Sequence, residues 1–353
     1  MSIERYSTGL LLSMMEEAEA PSMFFTNLFF PNEIQFEEQT VEFDIVRRGR
    51  RMAPFVAPTV RGQVMARDGH ITKFMKPAYI KQTSTVGLHK PLSRMPGEAW
   101  GGSLSPMERL NRLMSEDLNQ HSLQLENRLE WMATQTIFNG GYTVSGDNYP
   151  TQQVNFGIDA NLNVALAGAA TWDQTTSSPL QDIEDMSREV RLRSYGVVCT
   201  DIIMDRLSWN LFKVHADVKE LMDFNIVRRT DLAGTSFDAG VQNNMYGNGE
   251  GAELVGRLAG RFNIWVYEGY YEDNNGVTQQ FMPDYTVVVC NPSAVEGQQL
   301  YGRILDMDAQ YAAQKFFIKS RSQWDPSGEE VLSQTAPLIA PKRIDSWGIL
   351  TVA

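Results

Sequence analysis

Between Ser105 and Gly140 the apolar positions fall on one stripe: Met107, Leu110, Leu113/Met114, Leu118, Leu125, Leu129, Met132 and Ile137, with His121 and Thr136 filling two further places. That spacing predicts an amphipathic helix over 105–138. Ser105 is placed to be its N-cap, Pro106 falls at the first helical position, and Glu108 completes a capping box. Asn139-Gly140 marks its end. The period follows 3.6 rather than 3.5, so the expectation is a helix of about 50 Å laid across a sheet, not a coiled coil.

Period-2 alternation appears instead at Ile34, Phe36, Val41, Phe43 and Ile45, after an aromatic cluster of Phe24, Phe25, Phe29 and Phe30, and predicts half-buried strand. Residues 52–66 and 70–82 flank Asp68-Gly69 and read as a long hairpin, punctuated by Pro54, Pro58, Pro77 and Pro91. It carries so little apolar surface that something outside it must hold it. Residues 141–157 predict a second hairpin, around Ser145–Asn148. Helices are expected at 179–194, opening on Pro179, and from about Asp205 to Phe224. Val197–Cys199 and Ile202–Met204 read as short buried segments, and 234–251, rich in Gly and Asn, as a loop. Residues 262–290 predict an antiparallel meander turning at Asn274-Asn275-Gly276, and the last strands fall at Ala336–Ile339 and Ile349–Val352.

A chain of 353 residues exceeds one typical core and predicts two or three domains. No apolar run approaches the roughly 18 residues of a membrane span. The start, with Glu16, Glu17 and Glu19 after a short apolar stretch, reads as an amphipathic helix and not a signal peptide. The net charge of −12 disfavours a protein whose main task is gripping nucleic acid. It also conceals an asymmetry. Residues 1–46 carry net −8. Residues 47–98 carry net +9, from Arg47, Arg48, Arg50, Arg51, Arg61, Arg67, Lys73, Lys76, Lys81, Lys90 and Arg94 against Asp68 and Glu98; the remainder carries −13. Three readings fit the basic segment: a solvated face, a nucleic-acid arm, or a segment lying on an acidic surface of its own subunit or of a neighbouring copy. The last accounts for the whole pattern, because the acidic complement lies in the same chain.

Catalytic chemistry finds no foothold. Gly247-x-Gly249-x-x-Ala252 with Glu268 mimics a dinucleotide fingerprint, but the residues before it form no buried strand, and the short helical stretch expected at 252–258 contains Gly256. The four histidines have no ligand spacing, and His121 reads as a packed residue. Asp306/Asp308 and Glu329/Glu330 read as surface acids. Cys199 and Cys290 read as buried thiols. Most of the seventeen methionines read as core filling, with contact surfaces that repack as the alternative. No cofactor or metal is expected.

The order of parts, together with FFTNLFF at 24–30, VAPTVRGQV at 56–64, VYEGYYEDNNGVTQQFMPDYTVVVCN at 266–291, LYGRILDMDAQ at 300–310 and QTAPLIAP at 334–341, resembles the lambda-like phage major capsid protein E family over nearly the whole chain. The resemblance implies an α+β, Hong Kong 97-type capsid fold. Its parts would be an N-terminal arm at 1–46, an extended loop at 47–98, a peripheral domain at 99–171 and 326–353 containing the spine helix, and an axial domain at 172–325. It further implies a head protein assembling into hexamers and pentamers of an icosahedral shell around packaged DNA, with a scaffold and portal during assembly in the host cytoplasm. A decoration protein would sit at the threefold axes. Relatives of this type rely on non-covalent contacts, so lysine–asparagine crosslinks through Lys73, Lys76, Lys81 or Lys90 are not expected. A cellular nanocompartment shell of the same fold is the alternative.

Overall fold

A computed structural model describes residues 23–46, 70–87, 104–146, 149–219, 251–258, 260–273, 275–325 and 327–353, together with Leu11, 52–53, 55–59, 61–62, 89–95 and Glu98. An aromatic helix is α1 (Phe24–Phe29), and the expected long helix follows as α2 (Pro106–Asn139), 34 residues. The capping box is complete: the Glu108 N–H donates to Ser105 Oγ at 3.3 Å and the Ser105 N–H to the Glu108 carboxylate at 2.6 Å. Gly140 ends the helix with φ of 68°, a left-handed conformation that costs glycine nothing. Of the predicted stripe, Met114, Leu118, His121, Leu125, Leu129, Met132, Thr136 and Ile137 are buried, Leu110 and Leu113 are half-buried, and Met107 is exposed.

The N-terminal half of α2 lies on an antiparallel sheet of β4 (Ile80–Gly87), β15 (Phe317–Gln323) and β16 (Gly328–Thr335), with β16 in the centre. Met114 and Leu118 pack there with Val86, Ile318 and Val331, and Leu11 joins the same cluster. His121 is the packed residue the sequence indicates. Its Nε2 meets Ser84 Oγ at 2.8 Å and its Nδ1 meets Ser333 Oγ at 3.0 Å, while burial lowers its pKa. The C-terminal half enters the larger core with α1 and the predicted hairpin, β5 (Gly141–Gly146) and β6 (Tyr149–Asn155).

A six-stranded sheet runs β7 (Asn163–Ala165), β18 (Trp347–Thr351), β13 (Thr286–Cys290), β8 (Asp201–Asp205), β10 (Phe262–Tyr267), β9 (Ala252–Leu258). It corrects two expectations. Residues 252–258 are strand, not helix: β9 pairs antiparallel with β10 around a bulge, where Gly256 is no hindrance. Nor is 262–290 a meander. β8 inserts between β10 and β13, parallel to the first and antiparallel to the second. The turn through Asn275 and Gly276 serves a separate ribbon of β11 (Tyr270–Glu272) and β12 (Thr278–Gln280). The chain breaks at Gly269, where a Cβ would sit 2.1 Å from the Tyr267 hydroxyl.

Helix α3 (Pro179–Arg193) covers this sheet with Ile183, Met186 and Val190. Helix α4 (Arg206–Phe212) is capped by the Asp205 carboxylate and is shorter than the expected 205–224. A turn at 213–215 interrupts it, where His215 Nε2 meets the Trp172 carbonyl at 2.7 Å; helix resumes at 216–219, and 220–224 lie outside the described residues.

The expected strand at 34–45 is divided. β1 (Asn32–Gln35) runs parallel to β14 (Gln298–Tyr301), which pairs with β17 (Pro337–Ala340). β2 (Val41–Val46) pairs antiparallel with β3 (His70–Met75). That pairing replaces the predicted hairpin of 52–66 with 70–82. Residues 52–53, 55–59 and 61–62 form no strand, in keeping with the missing N–H donors of Pro54 and Pro58, and Asp68-Gly69 lies outside the described residues. At Pro77 the chain leaves one ladder and β4 joins another.

Candidate subunit interface

The basic segment, 47–98, begins after β2, and its described part includes the β3 strand that pairs with β2. Arg47, Arg48, Arg50, Arg51 and Arg67 lie outside the described residues. Arg61, Lys76, Lys81 and Lys90 are exposed, and none of them is ion-paired with a described residue. Lys73 is not a free loop lysine: its ammonium donates to the Asn155 carbonyl oxygen at 2.8 Å and ties the ribbon to β6. The described candidates therefore do not converge on a pocket. They are spread along one excursion of chain.

Large apolar side chains stand out beside these charges. Met52 is 87% exposed, Phe55 fully exposed, and Phe74 on β3 67% exposed. A Phe gains roughly 1.5–3 kcal/mol on burial, and within this subunit Phe55 finds no cover. Such side chains flanked by bases mark a surface that associates. The far end of the segment is fixed. Arg109 of α2 grips the Glu98 carboxylate through both oxygens, at 2.7 and 3.1 Å, and this hydrogen bonding holds Glu98 below the usual carboxylate range.

Part of the acidic arm is satisfied within the subunit. Glu33 pairs with Lys315, and Glu37 with Arg303 at 3.2 Å. The arm is held by a residue whose role the sequence reading missed. Glu130, one position beyond Leu129 on α2, is 1% exposed. Its Oε1 accepts the Phe25 N–H at 2.7 Å and the Tyr267 hydroxyl at 3.3 Å; its Oε2 accepts the Thr26 N–H at 2.9 Å and the Thr26 hydroxyl at 2.7 Å. Burial pushes its pKa up to about 7, against the pull of these donors. The available signal was a carboxylate beside an apolar stripe, with two free donors at the start of a short aromatic helix.

Elsewhere the polar groups are structural. Lys319 bridges Asp306 and Asp308 at 2.6 and 2.8 Å. Glu329 is not the surface acid expected from the sequence. Its position on the central strand β16 buries it, and it accepts from Ser322 Oγ at 2.6 Å. Glu268 is held by Arg206 at 2.8 and 2.9 Å, and the stretch after Gly249 contains a strand where a nucleotide site needs a helix. Cys199 and Cys290 are free and buried, as expected; burial pushes the Cys199 thiol up to about 11, far from the thiolate. Among the described residues, no group of three His, Cys, Asp or Glu could hold a metal, and no helix is long and apolar enough to cross a membrane. The Gly/Asn loop at 234–251, Gly251 apart, lies outside the described residues.

A long capped helix across a three-stranded sheet, beside a six-stranded sheet, is the mixed helix-and-sheet fold of phage capsid proteins. The solved structure of a putative capsid protein from an Escherichia coli CFT073 prophage superposes with a TM-score of 0.73 over the whole of both chains, at 21% identity. Residues 7–352 match the phage major capsid protein E family, and the chain belongs to that family. The major capsid protein of Escherichia phage N15 is 30% identical over 95% of each chain, and that of Escherichia phage lambda 29% identical over 95% of each. The shell-subunit role expected from the sequence therefore stands: this is a major capsid protein of the lambda-like tailed-phage type.

Proposed function

We propose that the chain builds a closed icosahedral shell of hexamers and pentamers, in which residues 47–98 lie on a neighbouring subunit as its extended loop. The observation that carries this reading is the exposed, uncovered pair Met52 and Phe55 within a segment of net charge +9, in a chain that is otherwise acidic. On this reading the subunit has the Hong Kong 97-type division: N-terminal arm 1–46, extended loop 47–98, peripheral domain 99–171 with 326–353, and axial domain 172–325. Arg47, Arg48, Arg50, Arg51, Arg61, Arg67, Lys76, Lys81 and Lys90 contact acidic side chains of the neighbour, while Lys73 serves its own subunit.

The role is structural, without catalysis. A net negative wall encloses DNA without gripping its phosphates, so packaging meets no sticky surface. A scaffold and portal act during assembly in the host cytoplasm, and a decoration protein caps the threefold axes. Electron microscopy of the purified protein, with scaffold where needed, tests the shell; a monomer under every assembly condition refutes it. Arg47, Arg48, Arg50 and Arg51 changed together to Glu test the loop. One exposed pair contributes only about 0–1 kcal/mol, but several pairs recur at every contact. Loss of shells with unchanged circular dichroism is expected, and normal shell yield refutes the loop assignment.

A further inference from the structure

Glu130 stands apart among the buried groups of the described residues. A fully buried carboxylate ordinarily has a cation, yet no described lysine or arginine is paired with this one. All four groups bound to its oxygens can donate, and three of them belong to α1: the Phe25 and Thr26 N–H groups and the Thr26 hydroxyl. The fourth is the Tyr267 hydroxyl of β10. Around them pack Phe24, Phe25, Phe138 and Trp265, with Phe25 and Tyr267 edge to face at 5.1 Å. The site is therefore shut off from bulk solvent, and its polar contacts join α1 to the long helix and to the six-stranded sheet.

We propose that Glu130 is a proton-operated latch that sets how firmly α1, and with it the N-terminal arm, is docked on the long helix. The chemistry follows from the surroundings. Ionised, the carboxylate satisfies every donor but holds a net charge in an apolar site. Protonated, it loses that cost; its own O–H needs an acceptor, which the Thr26 or Tyr267 hydroxyl supplies by rotating. Undocking α1 would open the carboxylate to water, where the charge costs little.

Other titratable groups facing the site are few. Tyr267 is the only one on β10 in contact, and its own pKa is raised far above the usual value by burial and by Glu130. Helix α1 carries none. On α2 the nearest acid is Glu126, one turn earlier, and it is influenced by Lys315. The docked state holds the Glu130 proton with a pKa of about 7, and an undocked, hydrated carboxyl holds it at 4.5. Docking is therefore strongest below pH 4.5, weakens as pH rises towards 7 and is level above. The difference caps the change at roughly 300-fold in the docking equilibrium.

Hydrogen exchange of the purified full-length protein, read by mass spectrometry from pH 5 to 8 and corrected for intrinsic rates, tests this. Protection of peptides covering 23–30 should fall by up to about 70-fold over that range, while the interior of α2 around Leu125 holds steady. Glu130→Gln should abolish that slope at whatever level of protection it retains. A flat wild-type profile, or an undiminished slope in E130Q, overturns the latch. Should E130Q not fold, carbon-13 titration of the wild-type Glu130 carboxyl decides: a midpoint near 7 supports the latch, and one at or below 4.5 overturns it. Neither measurement depends on shell formation, so failure here is distinct from failure of the shell reading.

Discussion

Replacing Leu118 separates the contribution of the buried stripe from that of the helix cap. Leu118 is 0% exposed and belongs to a buried cluster with Leu11, Met114, Val86, Ile318 and Val331, which draws on all three strands of the sheet beneath the helix. Leu118→Ala removes three carbons. At about 0.8 kcal/mol each the transfer term is about 2.4 kcal/mol. The walls are β-strands and a helix that cannot close in, so a cavity term adds to it, for a total of about 3–5 kcal/mol. Leu118→Asp places a carboxylate in the same site without a cation and should leave insoluble protein. Ser105→Ala, at the exposed start of the same helix, should cost only about 1 kcal/mol. Urea unfolding of the purified subunit, followed by circular dichroism, measures all three. If Leu118→Ala costs under 1 kcal/mol, or Leu118→Asp stays soluble and assembles, the stripe faces water and the seating of the helix on the sheet is wrong.

Arg109→Leu should remove the stabilisation that ionised Glu98 draws from the guanidinium. Because the Glu98 pKa is lowered, that stabilisation is complete above its ordinary value of 4.5 and is lost as pH falls through the lowered value, so the gap in melting temperature between wild type and variant should close in acid; a gap that widens in acid contradicts the ion pair. Gly297→Ala would bring a Cβ to 2.2 Å from the Phe29 carbonyl oxygen. The backbone cannot yield cheaply there, so the variant should lower the melting temperature and raise exchange at 23–30, and wild-type behaviour in both would refute the close approach. Mature particles boiled in SDS with reductant should run as monomer, and a ladder of multimers would show covalent joining.

How much of this protein could be read from its sequence depends on how far apart the cooperating residues lie. The long helix, its capping box, its Gly140 stop and the β5–β6 hairpin rest on residues within a few positions of one another, where backbone sterics and hydrogen bonding suffice. The charge asymmetry was likewise legible, because charge is additive along the chain. Tertiary structure alone decided that β8 separates β10 from β13, that β3 pairs with β2 across 23 residues between Val46 and His70, and that β1 finds β14 more than 260 residues away. Strand alternation says which face is buried but not which strand is the neighbour. Residues 252–258 show the limit most plainly: the segment AELVGRL suits a helix locally, yet the open edge of β10 supplies hydrogen bonds that override the preference. Glu130 was invisible for the same reason. A glutamate on a helix is ordinarily solvated, and only the folding of α1 and Tyr267 around it takes its water away.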